Sequence, residues 1–425
     1  MPIMSIDRRK AALFGTAAAV RLLLFASFPG LPDLLTARVE ISTPVTSFKR
    51  LQEGLFLYNH NVSPYDGGVY HQAPLFLPLF SLLPSSSIYP SFTYLLYILI
   101  DLLSANALIN IAESGEAGNS RLFTSPRKDK RWTSFAIAAA FLFNPFTIAT
   151  CVGRPTSTFT TCAILYAISK ALAGASYTSM FAIAFAAYLS MYPVLLFPPL
   201  ALLCYDRQRP SKRQESLPFF MATNAVAVGV YLYSLLHMSY IITGSWEFLS
   251  STYGVQLLLP DLTPNVGLWW YFFIEMFDSF RSFFLGVFWL HLSSYVGGLT
   301  IRVRRQPLFV LTILLGIFAI FKPYPSISDT SLFLGMLPIY SHLFPLMRYT
   351  FLASSTVLYA TLLGPAFYYL WIYAGSGNAN FFYAITLVWS LGWSVLVVAD
   401  LLYAVLRDEW EVERPEMKGK EARQI

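Results

Sequence analysis

Apolar stretches near the ~20 residues that a helix needs to cross a bilayer recur along the chain, separated by short polar breaks. They predict spans over residues 11–28, 88–112, 133–151, 155–173, 217–243, 267–300, 307–322, 331–346, 349–373 and 381–406. The stretch 177–205 reads as a hairpin bent near Pro193, which brings the expected number of crossings to about twelve. Two segments break the pattern. Residues 43–58 open with a Thr/Pro helix start, and Val45, Phe48, Leu51 and Leu55 follow at helical spacing, as in an amphipathic helix lying on a membrane. Residues 73–84 are too short to span and hold three prolines, so they predict an interfacial or re-entrant piece with His71 at its entry. A lone His there is ordinarily a hydrogen-bonding packing residue.

Composition agrees with that reading. Hydrophobic residues make up 56% of the chain and charged residues 12%, too few to build a water-soluble surface. The fold class is an all-α polytopic membrane protein: one multi-span domain over 1–406, then a tail from Arg407 to 425 expected to be solvated and partly disordered. Lys and Arg outnumber Asp and Glu by 29 to 23, and in such a chain this excess reports topology and gives no reason to invoke nucleic acid. Basic clusters fall at Arg8–Lys10, Arg121 with Arg127–Arg131, Arg207–Arg213 and Arg302–Arg305. Placing all four in the cytosol puts both termini there, and puts 29–70, 244–266 and 374–380 on the opposite, luminal side. The first span reads as an uncleaved anchor. Asn61-Val62-Ser63 is a luminal glycosylation sequon that Pro64 disfavours.

Polar groups within the spans need partners. Asp101 costs roughly 2.5–3.5 kcal/mol in hydrocarbon and is expected to join two helices, with Asn106 and Asn110 on following turns. Asp278 and Arg281 are spaced to pair along a helix, and Asp400 reads as structural. Cys151, Cys162 and Cys204 follow no metal-ligand spacing and read as buried apolar thiols. No metal site and no cofactor are expected. In 259–268, Asp261 and Thr263 predict an Asx turn, and Asn265 a cap for the aromatic helix that follows. Trp269 and Trp270 suit either an interfacial belt or the wall of a lipid groove. The uncharged string Trp371 to Leu387 sets Gly, Ser and Asn between aromatic segments. It is either an ordinary turn or a mouth where Ser376, Asn378 and Asn380 meet a polar headgroup while Trp371, Tyr373, Phe381 and Phe382 hold its apolar part.

The bundle with its long first luminal loop resembles the GT-C superfamily of lipid-linked sugar transferases, and SPYDGGVYHQAPL is similar to a string of the PIG-M mannosyltransferases. A closer resemblance runs through RVEISTPVTSFKRLQEGL, VSPYDGGVYHQAPL, FNPFTIATCV, LPDLTPNVGLWWYFFIEMF, IFKPYPSISD and WIYAGSGNANFFYAITL. On these six strings the chain is identified as a member of the PIG-U family, called Gab in yeast, whose members are subunits of the glycosylphosphatidylinositol (GPI) transamidase. That resemblance implies a GT-C-like bundle in the endoplasmic reticulum membrane and a GPI lipid ligand. It also implies partners of the PIG-K, PIG-T, PIG-S and GPAA types, with catalysis on the protease-like PIG-K subunit. The alternative is an active dolichol-phosphate-mannose-dependent mannosyltransferase. Such enzymes carry a carboxylate pair in the first luminal loop, whereas here Asp33 and Glu40 stand seven residues apart. The lipid site is therefore expected at the 371–382 residues named above, with groove or partner contacts at His71, Asp261, Asn265, Trp269 and Trp270.

Overall fold

The computed structural model describes residues 8–84, 88–208 and 216–417; the basic positions 209–213 and the tail 418–425 lie outside the described residues. The described chain is helical, with one isolated bridge between Asn119 and Thr124. Among the described residues, six helices are long and apolar enough to cross a membrane: Arg8–Ser27, Pro90–Glu113, Leu217–Thr243, Asp278–Arg302, Thr350–Ile372 and Ala379–Glu413. A seventh crossing arises if the pair Ser134–Leu142 and Pro145–Gly153, bent by 52°, is one span. The shorter apolar helices Ser176–Leu189, Tyr192–Asp206 and Pro307–Phe321 fall below that length, so length and composition alone account for six or seven of the twelve crossings expected.

The helices divide by how much of their circumference is covered. Pro307–Phe321 is apolar on every face and is buried from Pro307 through Ile320, which a helix apolar all round requires. The Ser157–Leu172, Ser176–Leu189 and Ile327–Met336 helices are buried along most of their length. Leu217–Thr243 buries only Phe220, Asn224, Val228 and Ser239, and Thr350–Ile372 only Ala353, Ala360 and Gly364. Their remaining faces are free for lipid or for other chains.

Local chemistry explains the breaks. Asn144 stops one helix and caps the next, its side chain accepting from the Phe146 amide at 2.9 Å. The expected amphipathic helix runs Phe48–Asn59, with Ser47 as its cap. Residues 43–46 precede it as a turn closed by the paired hydroxyls of Thr43 and Thr46. Its buried face is Phe48, Leu51 and Gly54, and the Tyr70 ring lies so close to Gly54 that a Cβ there would meet it at 2.6 Å. The 73–84 piece contains a six-residue helix, Phe76–Ser81. The 177–205 stretch breaks at a 3-10 turn, Tyr192–Leu196, which contains Pro193.

Asp101 joins helices as expected, and its partner is Arg21 of the first helix at 2.8 Å, both side chains buried. Arg21 also donates to the Leu142 carbonyl at 3.0 Å, so three helices meet on one guanidinium. Lys10 donates to Asn106 on the same pair of helices. Asp400 is buried and accepts from the Arg348 and Tyr349 amides at 2.9 and 2.6 Å, just ahead of the Thr350–Ile372 helix. Cys151 and Cys204 are buried and Cys162 partly so, all unpaired.

Two expectations change. Arg281 does not pair with Asp278; its guanidinium reaches the Leu259 carbonyl at 2.5 Å and lies over the Phe273 ring. The last helix continues past residue 406, as Tyr403–Glu413, and Arg407, Asp408 and Glu409 are buried. The first part of the expected tail is thus folded, because Arg127 binds both Asp408 and Glu411 at 281 and 284 residues' separation. The basic clusters do gather at one end. Arg121 and Arg304 share Asp206, Arg207 binds Glu116, and Arg305 binds Glu413.

Candidate functional site

At the other end, the chain turns between Thr350–Ile372 and Ala379–Ser394. The Ser376 and Gly377 amides both donate to the Leu370 carbonyl at 3.0 Å, and Gly375 takes φ +63°, where a side chain would be strained. Asn378 is the N-cap of the second helix, its side chain accepting from the Phe381 amide at 3.3 Å. Asn380 accepts from the Tyr271 hydroxyl. The two amides therefore do different work: Asn378 ends the turn, and Asn380 ties it to the 269–274 helix. Ser376, Tyr373 and Phe381 are exposed.

The aromatic residues separate by face. Trp270 is fully buried and stacks on Trp371 with centroids 6.1 Å apart, and Phe382 lies 6.0 Å away. Trp269, one residue earlier, points elsewhere and packs on Phe288 and Trp289, its indole donating to the Phe321 carbonyl at 2.8 Å. Trp270 thus joins the turn and Trp269 does not. Neither forms an exposed interfacial belt, since both rings are buried.

His71 and Asp261 belong to a second group. Arg50 of the amphipathic helix binds Asp261 at 2.9 Å, and His71 bonds the Ser251 carbonyl at 2.8 Å. Burial pushes the His71 imidazole below its ordinary value, and the Arg50 charge adds to that. At Asp261 burial acts against ionisation. The Thr263 hydroxyl and amide and the Arg50 charge outweigh it, so the carboxyl sits below its ordinary value. The Asx turn is present, with the Thr263 amide 2.9 Å from the Asp261 carboxylate. Asn265 is buried but does not cap the 269–274 helix. Its side chain accepts from the Gly267 amide at 2.7 Å and so bends the chain before that helix starts.

Between the turn's two helices and the first loop lies a cavity of about 270 Å³ that the sequence did not reveal. Its walls are apolar: Phe146 and Ile41 on one side, Phe382, Ile385 and Trp389 on the other, with Gly364 and Pro365 keeping the third wall low. Arg38 and Glu40 stand at its edge, paired at 2.8 Å, with the Arg38 guanidinium 5.6 Å from the Tyr368 ring. The indole N–H of Trp389 is buried without a partner among the described residues. Arg38 stands two residues before Glu40 in a string read only for its acid, so its position was visible and its role was not. Phe146 and Trp389 carried no signal, since their meeting is a matter of tertiary packing. Beside the turn an open apolar trough runs between Tyr271, Phe277, Phe280 and Tyr383. A small polar chamber around the buried Lys322–Asp329 pair (2.6 Å) has room, about 20 Å³, for a single water.

The two loop carboxylates point apart in their pairing. Glu40 binds Arg38, while the largely exposed Asp33 binds the buried Arg154 at 3.0 Å. No group of three or more His, Cys, Asp or Glu comes together in a metal-binding arrangement among the described residues. The site therefore offers apolar volume, one guanidinium–carboxylate pair and uncharged amides, which suits holding an amphiphile.

A family model described as GPI transamidase subunit PIG-U matches residues 15–389. The GPI transamidase component GAB1 of Saccharomyces cerevisiae is 38% identical over 405 residues, covering 95% of this chain and 96% of its own. The human GPI-anchor transamidase component PIGU is 34% identical over 414 residues, 93% of each chain. The GAB1 homolog of Schizosaccharomyces pombe is 34% identical over 401 residues, 92% of this chain and 93% of its own. With its all-helical, multi-span fold and a match along nearly its whole length, the chain belongs to the PIG-U family of GPI transamidase subunits.

Proposed function

We propose that this chain holds the GPI lipid in the endoplasmic reticulum membrane and presents it, without itself supplying a catalytic group, to a separate protease-like subunit. The observation that carries this reading is the apolar cavity with a single polar edge, opening beside an uncharged turn. At about 270 Å³ it is close to the ~300 Å³ lower end of small-molecule sites, enough for part of an acyl chain. The acyl part lies against Ile385, Phe382 and Trp389. Trp389 then has an oxygen to donate to, in a lipid ester, and Arg38 meets the lipid phosphate in place of, or together with, Glu40. Ser376, Asn378 and Asn380 border the glycan on the luminal side, where the positive-inside rule puts them. Holding the GPI amine beside an acyl-enzyme on another subunit of the PIG-K type accelerates transfer through proximity alone. Subunits of the PIG-T, PIG-S and GPAA types pack on the exposed faces of the spans and on the luminal loops.

The experiment is to fill the cavity. A Cβ at Gly364 meets its nearest atom at 3.9 Å, so Gly364→Ala fits and Gly364→Leu extends into the cavity. Cells carrying Gly364→Leu are expected to assemble the complex and lose surface GPI-anchored protein in flow cytometry, while Gly364→Ala stays near normal. Full anchoring by an assembled Gly364→Leu complex would place the lipid elsewhere.

A further inference from the structure

The basic end of the bundle holds a second cleft, of about 670 Å³, between the end of the Asp278–Arg302 helix, the 302–306 linker and the Tyr403–Glu413 helix. Its lining brings four arginines, Arg302, Arg304, Arg305 and Arg407, against two glutamates, Glu409 and Glu413. The glutamates are engaged: Gln306 donates to Glu409 at 2.8 Å and Arg305 pairs with Glu413. Acids behind the wall hold the arginines in place. Asp206 binds Arg304 at 2.7 Å, and Glu411 binds Arg407 at 3.0 Å. The Arg407 guanidinium also lies 5.0 Å from the Trp410 ring. Arg302 is exposed at the mouth, beside Ile301 (81% exposed) and Leu122 (48% exposed). A pocket whose lining has four arginines to two glutamates, held in order by acids behind it and rimmed by exposed apolar side chains, with Tyr403 and Trp410 in its wall, combines the requirements of an anion and of a hydrocarbon tail.

We propose that this cleft binds an anionic phospholipid of the cytosolic leaflet, the phosphate between Arg302 and Arg305 and an acyl chain along Ile301. Basic pockets at helix ends on this side of a membrane suit such headgroups. The site is distinct from the GPI cavity: the Ala379–Glu413 helix begins at the turn and ends here, so the two lie at opposite ends of one element. A soluble anion has no use for the apolar rim. Residues 418–425 carry Lys418, Lys420 and Arg423 against Glu421, a charge that does not complement a cleft lined by arginines.

The test uses the assembled complex in nanodiscs doped with photoreactive phosphatidylserine or, in parallel, photoreactive phosphatidylcholine. Phosphatidylserine is expected to label peptides around 299–306 and 403–413 preferentially. Labelling should fall about fivefold in Arg302→Gln and roughly 30-fold in Arg302→Gln with Arg305→Gln, as each surface arginine's attraction to anionic lipid implies. Arg302→Lys should keep most of it, and Arg8→Gln, an exposed arginine outside the cleft, should leave it unchanged. Equal labelling by phosphatidylcholine, or labelling indifferent to Arg302→Gln, overturns the proposal. So does a cross-link from these peptides to an acidic segment of another subunit, which makes the cleft a protein contact. Arg302→Gln alone, at an exposed position, decides the matter if the double variant does not assemble. Anchoring need not change in any arm, which separates this test from that of the GPI cavity.

Discussion

Two chain segments, one lining the apolar cavity and one just ahead of its Phe382 wall, are held in place in opposite ways. Residues 29–47 are tied down by charge: Asp33 to Arg154, Glu40 to Arg38, and the Glu40 carbonyl to the Ile327 amide at 2.9 Å. Residues 373–380 carry no charge and are held by backbone bonds to Leu370, one Asn cap and the contact from Tyr271. A lipid headgroup with its own phosphate can meet the first only by competing for an ion pair. It can meet the second without displacing any charge. On the proposed reading, fixed charge on one side and uncharged, hydrogen-bonded amides on the other would let the cavity orient an amphiphile. The two acids of residues 29–47, Asp33 and Glu40, are each engaged with a different arginine.

The comparison is broken most severely at Arg154. It is buried, its guanidinium lies 4.5 Å from the Phe48 ring, and Asp33 is 80% exposed. Arg154→Ala should cost about 3 kcal/mol or more through lost packing and pairing, seen as lost complex recovery and a lower melting temperature. Asp33→Ala should cost less than about 1 kcal/mol, since its end of the pair is in solvent. Equal losses would mean that the pair, and not the buried guanidinium, fixes the loop.

A sharper test sets Arg38 against Glu40. If the guanidinium is the phosphate's partner, Arg38→Gln should reduce surface anchored protein severalfold at normal complex recovery, while Glu40→Gln and Asp33→Asn stay near normal. Loss of anchoring in Glu40→Gln at normal abundance would return attention to carboxylate chemistry.

The two asparagines of the turn should then separate. Asn378→Ala removes a helix cap and should cost ~1 kcal/mol, largely restored in Asn378→Ser or Asn378→Asp. Asn380→Lys leaves the cap intact and adds bulk and a cation at the mouth. Lost anchoring with normal assembly in Asn380→Lys supports a headgroup boundary there. Normal anchoring makes the turn only a turn.

The smallest effect is one of pH. The His71 imidazole titrates below its ordinary 6.5 in the fold, so below that value the unfolded chain binds more protons than the folded one. Stability from this group is complete above 6.5, declines as pH falls from there to the folded value, and then levels off. Protease sensitivity of the 244–266 loop at pH 7.5, 6.5 and 5.5 should rise by a small factor in the native chain and less in His71→Gln. Asp261 acts in a lower window. Its depressed carboxyl stabilises above its unfolded value of 3.8 and loses that contribution only as pH falls through the folded one.

What could be read along the chain was local. The amphipathic helix followed from Phe48, Leu51 and Leu55, although its expected Thr/Pro start and Val45 form the turn ahead of it; the Asx turn followed from Asp261 and Thr263, and the inter-helix role of Asp101 from the cost of a charge in hydrocarbon. What could not be read was which residue answers which. Arg21 lies 80 positions from Asp101, and Arg127 281 positions from Asp408. Trp269 and Trp270 illustrate the limit within a single helix. Successive residues project about 100° apart at 3.6 per turn, so two adjacent indoles with one composition enter two different clusters. The cavity was hidden for the same reason, since its walls come from residues 35–41, 145–149, 360–365 and 382–389.

The clasp between Arg127 and the carboxylates Asp408 and Glu411 has a consequence in time. Arg127 precedes Asp408 by 281 residues, so the 114–131 loop gains the partners of that cation only when the Tyr403–Glu413 helix is in place. A product truncated before residue 403 keeps Arg127 unclasped and Gln306 without Glu409, which exposes polar groups that the finished molecule covers. Removing the Tyr403–Glu413 helix is therefore expected to destabilise the 114–131 loop as well as the segment that is lost.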